Sequence, residues 1–128
     1  MKKIIAIIAA GMLITFSSSL QAQSWTKVDP KMTKMLTDTT VVRAYIATLV
    51  PGEKSTSHTH PASFVYALTS GKLHVEYADG KKEDVELKEG DSMYMGPERP
   101  HVTQNTGDAP MKFMLVELKE HPYKAEKK

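Results

Sequence analysis

The chain has 128 residues, 41% hydrophobic and 25% charged, with seven Gly, seven Pro and no Cys. This composition supports one ordinary soluble core and excludes a disordered chain, a collagen-like repeat and a disulfide scaffold. Without Cys there is no thiolate ligand and no thiol nucleophile, so any metal must rest on His, carboxylate or Met.

Lys2 and Lys3 precede an apolar run over residues 4–16, and small and polar residues follow as far as Leu20-Gln21-Ala22. That is the layout of a secretory signal peptide over residues 1–22, and the apolar run is too short to span a bilayer comfortably. The expectation is an exported, periplasmic protein with no membrane attachment after cleavage. Loss of Lys2 and Lys3 brings the 17 basic residues level with the 15 acidic ones. A chain so balanced lacks the basic excess of a nucleic-acid binder.

The remainder divides into an N-terminal segment over 23–38, a main domain over 39–118 and a charged tail over 119–128. A short helix is expected near residues 30–36. From there on, strand-length apolar runs cover 39–49, 63–69, 72–77, 82–87, 91–95, 101–105 and 112–118. Turn signals separate them: Pro51-Gly52, Ser70-Gly71, Asp79-Gly80, Glu89-Gly90, Gly96-Pro97 and Gly107. Asp79-Gly80 is the strongest hairpin signal and predicts a type I′ turn. Short strands without helical crossovers predict an all-β antiparallel sandwich or barrel.

His58 and His60 are two residues apart just before one of these runs, and His101 follows Pro100 at the start of another. In an extended segment His58 and His60 share a face, where both imidazoles can converge on one ion. Spacing alone leaves a second reading open, in which Ser-Thr-Ser-His-Thr-His is a polar surface loop and His101 an unrelated strand residue.

The flanking residues add a pattern. Gly52, His58, His60, Phe64 and Gly71 are separated by five, one, three and six residues, which resembles the first cupin motif, with Phe64 where the motif has Glu. Gly90, Gly96, Glu98, His101 and Asn105 are separated by five, one, two and three residues, which resembles the second. There Gly96 and Glu98 replace the motif's Pro and inner Gly, and Pro97 lies one place later. The resemblance covers residues 39–118. It implies a single-domain cupin, a double-stranded β-helix or jelly-roll barrel, with a divalent transition metal (Fe, Mn, Ni, Cu or Zn) held by His58, His60 and His101 and the glutamate ligand absent.

Three neutral imidazoles leave such an ion its full double charge, which favours a small anionic chelating ligand at the open positions. Three-histidine cupin iron centres occur in thiol and diketone-cleaving dioxygenases, so the resemblance also implies a dioxygenase-like oxidoreductase. The competing readings are a non-catalytic cupin that binds or senses a small molecule or metal, and a barrel serving only as a homodimer module.

Other residues complete the expected site. Phe64, Tyr66 and Leu68 share a strand face that the motif position of Phe64 turns inward, so Tyr66 could place a phenol near the ligand as donor or proton source. Arg99 could help to hold an anion, and Glu98 could swing in as a replacement ligand. His74 lies on the face away from the apolar stripe, and His121 lies in the tail; both are expected to face solvent. The pairs Met32 and Met35, Met93 and Met95, and Met111 and Met114 suit either Cu(I) or a flexible core. Asn105 is expected to fix the turn toward Gly107.

Overall fold

Nine strands and one short helix make up residues 23–126, the part of the chain that the computed structural model describes. The signal-peptide expectation for residues 1–22 lies outside the described residues. No helix among them is long and apolar enough to cross a membrane.

The helix is α1 (Trp25–Val28), earlier than expected. It ends because Asp29 precedes Pro30, and the proline ring crowds a preceding α-helical residue; Asp29 has φ −128° and ψ 65°. The expected helix over 30–36 is instead a turn followed by strand β1 (Thr33–Asp38). The backbone of β1 pairs with β2 (Val42–Leu49) from Thr33 opposite Ala47 to Asp38 opposite Arg43, a ladder that a helix could not join.

The other strands are β3 (His58–His60), β4 (Ser63–Ala67), β5 (Gly71–Tyr77), β6 (Lys82–Leu87), β7 (Ser92–Met95), β8 (Glu98–Asn105) and β9 (Met111–Leu118). They form a five-stranded sheet in the order β1-β2-β9-β4-β7 and a four-stranded sheet in the order β3-β8-β5-β6. All the strand pairings are antiparallel. This is the all-β double-stranded β-helix expected from the sequence.

The Asp79-Gly80 hairpin joins β5 and β6, but only Gly80 has a positive φ, +92°. Its N–H donates to Tyr77 O at 2.9 Å, so the turn is a tight right-handed one closed by a left-handed glycine and not the expected type I′.

Alternation along the strands decides which side chains enter the core. On β9, Met111, Phe113, Leu115 and Glu117 point in, and on β2 Tyr45, Ala47 and Leu49 meet them. Each large apolar side chain buried here stabilises the fold by about 1.5–3 kcal/mol. Asn105 fixes one end of the barrel. Fully buried, it donates to Leu49 O and Ala109 O and accepts from Gly107 N–H, each at 2.9 Å, as expected of a turn-fixing residue.

Candidate metal centre

The three histidines meet because β3 lies beside β8, with His58 directly opposite His101. Strand alternation turns His58 and His60 to one face, and all three rings are buried. Ring centroids are 4.5 Å apart for His58 and His101, 4.8 Å for His58 and His60, and 5.2 Å for His60 and His101. One nitrogen from each ring lies within 4.8 Å of the others.

The hydrogen bonds on the far sides of the rings determine which nitrogen is free. His58 Nδ1 donates to Thr56 O and His101 Nδ1 to Arg99 O, both at 2.7 Å. His60 Nδ1 donates to Glu117 Oε1 at 3.0 Å. Carbonyl and carboxylate oxygens only accept, so the protons sit on Nδ1 and the Nε2 lone pairs are left to converge. Among the described residues, buried His58 Nε2 has no hydrogen-bond partner. Burial, then the neighbouring His60 and His101, push His58 down to about 2; burial and His60 push His101 down to about 4. Both rings are therefore neutral at ordinary pH, as metal ligation requires. An orphaned buried nitrogen among three oriented, converging imidazoles is a donor set that fits one divalent transition metal.

A layer of further residues holds this arrangement. The Trp25 ring stacks on His58 with centroids 4.5 Å apart and planes 7° from parallel. Its indole N–H donates to Asp29 Oδ2 at 3.0 Å, and the Asp29 carboxylate also accepts from the N–H and hydroxyl of Thr56, whose carbonyl orients His58. On the opposite side, fully buried Glu117 accepts from His60 and from the Tyr45 hydroxyl at 2.8 Å. Arg43 Nη1 stands 3.6 Å from its other oxygen. Burial and then Glu117 hold the Tyr45 phenol well above its ordinary pKa.

Not every expected residue reaches the site. Phe64 and Tyr66 are 42% and 38% exposed on the outer face of β4, while Ser63, Val65 and Ala67 point inward. The motif spacing is one residue out of phase with the pleat, so Val65, not Phe64, lines the cavity beside the histidines, and Tyr66 cannot reach a ligand there. Arg99 is also outside the cavity. It donates to Asp79 at 2.6 Å and lies over the Tyr77 ring, 3.8 Å from its centroid. Glu98 does line the cavity, yet it does not join the three histidines as a fourth ligand. His74 pairs with Asp84 and Glu76 on the sheet's outer side, and His121 is exposed.

The cavity itself has a volume of about 260 Å³ and runs from His60 and His101 between the sheets, past Leu73, Val75 and Val85 and the thioethers of Met93 and Met95. Tyr77 forms part of its wall and donates to Glu83 at 3.3 Å. Burial first, then Glu98 and Glu83, hold this phenol well above its usual pKa, so it acts only as a neutral donor. Sequence reasoning missed Trp25, Tyr45, Tyr77 and Glu117. They are distant in sequence, and none carries a spacing signal.

A two-sheet jelly roll with three inward histidines defines a cupin-type barrel. A family profile described as the cupin domain matches residues 45–117, and the chain belongs to that family. Among solved structures it is similar to a cupin domain protein from Bordetella pertussis Tohama I. The identity is 24%, with a TM-score of 0.63, covering 68% of this chain and 91% of that one. It is also similar to an RmlC-like cupin family protein with a double-stranded β-helix fold from Methanocaldococcus jannaschii, at 20% identity and TM-score 0.56, covering 67% and 77%. A third is an uncharacterised conserved protein with a double-stranded β-helix domain from Klebsiella pneumoniae, at 23% identity and TM-score 0.56, covering 74% and 84%. No curated protein matches the chain.

Proposed function

We propose that this cupin binds one divalent transition metal through His58, His60 and His101 and admits a small ligand, through an anionic donor group, to the open side of the centre. The observation that carries the reading is the tautomer-fixed trio: three Nδ1–H groups tied to Thr56, Glu117 and Arg99, and one nitrogen of each ring gathered within 4.8 Å. Packing alone does not explain a buried Nε2 left without a partner. A divalent ion held there supplies Lewis acidity and, if it is redox-active, electron transfer. The chain's own residues orient the three rings, and the apolar walls formed by Leu73, Val75, Val85 and Phe113 limit the access of water to the ligand.

A metal-dependent oxidoreductase of the dioxygenase type is the activity we assign to such a centre, in an exported protein. The first test is metal content by mass spectrometry of the purified chain beside a His58→Ala, His101→Ala double variant. About one equivalent of a single metal, lost in the variant, supports the site; no metal above the variant's level after reconstitution overturns it. Oxygen uptake with diketones, thiols and phenols then tests the activity. Stoichiometric binding without turnover would leave a ligand-binding or sensing cupin.

A further inference from the structure

Among the described residues no Lys or Arg lines the cavity, while two carboxylates, Glu83 and Glu98, do. Of the nearby cations, Arg99 pairs with Asp79 and Lys81 pairs with Glu83 at 3.0 Å, so Glu83 is already matched. The Tyr77 hydroxyl lies near both carboxylates and donates to Glu83 at 3.3 Å. Glu98 is half-buried beside the apolar walls and makes no ion pair among the described residues. At the histidine end of the same cavity stand His60 and His101.

We propose that the cavity is built for a small apolar amine, whose ammonium group pairs with Glu98, whose body lies among the Val, Leu and Met side chains, and whose opposite end carries the donor group facing the histidines. Opposite charges attract strongly beside a low-dielectric wall, and a second carboxylate on the ligand would be repelled by Glu98. A volume of about 260 Å³ holds one molecule below the usual drug-sized range. The proposal rests on the cavity's being the ligand site next to the histidines, and it does not depend on which metal they hold.

The test is titration calorimetry of the full chain, metal-free and zinc-loaded, with three phenols that differ only in their tail: tyramine, para-propylphenol and para-hydroxyphenylacetate. Tyramine should bind about ten-fold more tightly than the propyl compound and about a hundred-fold more tightly than the acetate. Glu98→Gln should bring tyramine down to the level of para-propylphenol, while Glu83→Gln should change the ranking by less than about three-fold, because Lys81 already neutralises Glu83. The proposal is overturned if the acetate binds as tightly as tyramine, if the ranking survives Glu98→Gln, or if none of the three binds at millimolar concentration. The ranking in the wild-type chain decides the matter even if a variant fails to fold. Failure of the metal reading looks different: zinc is not retained, yet the amine preference persists in the metal-free protein.

Discussion

Glu117 and His60 are bonded across the inside of the barrel, Oε1 to Nδ1 at 3.0 Å, with Glu117 wholly buried. The carboxylate missing from the ligand set is thus present one bond further out, where it fixes the His60 tautomer and makes its Nε2 a stronger donor. Glu117→Gln keeps the shape and removes the charge. Metal affinity should fall about 10- to 100-fold in a competition titration against a chromophoric chelator, with the fold retained. Glu117→Leu should also destabilise the metal-free protein by about 1–3 kcal/mol, because His60 Nδ1 and the Tyr45 hydroxyl lose their acceptor. An unchanged affinity in both variants would leave Glu117 a purely structural residue.

Trp25 closes the other side of the histidine cluster. It is 1% exposed, stacks on His58 and is tied through Asp29 to the loop that orients that ring. Trp25→Ala should cost about 3–5 kcal/mol in urea denaturation and weaken metal binding as His58 gains freedom. Trp25→Phe, which keeps a ring but loses the N–H, should recover most of the stability. Equal losses in the two variants would assign the effect to the Asp29 hydrogen bond and not to stacking.

The His-x-His pair and the turn signals were legible because each is a local pattern with a fixed physical meaning: alternation for the histidines, backbone freedom for the glycines. The partners of those histidines were not, since Glu117 reaches His60 across two sheets and Trp25 lies in a segment with no periodicity. The short helix was misplaced because residues 30–36 carry little local signal, and pairing with β2 decided their state. Phe64 shows a different limit. Counting along a motif locates a residue to within one position, and in a strand one position is the difference between inside and outside.

That parity can be tested directly. Phe64→Glu should place its carboxylate on the outer face and leave metal affinity within about two-fold of the wild type. Val65→Glu should project into the cavity, destabilise the metal-free protein by burying a charge, and regain stability on metal addition as the carboxylate finds a cation. Thermal unfolding of the two variants with and without zinc separates these outcomes. A metal-dependent stabilisation specific to Phe64→Glu would mean that the strand's inward face is the opposite one.

The depressed imidazoles also set a pH dependence for the metal-free protein. His58 and His101 titrate near 2 and 4 in the fold but near the ordinary 6.5 when unfolded. Between those values the unfolded chain binds more protons than the native one, so stability is fully present above about pH 6.5 and is lost as the pH falls toward 4. Each histidine contributes a slope of up to about 1.4 kcal/mol per pH unit in that window. Urea midpoints measured from pH 7.5 down to 4.5 should therefore decline, and His101→Gln, which removes one titrating group, should decline less steeply. A flat wild-type profile over that range would show that burial does not hold His58 and His101 neutral in the fold.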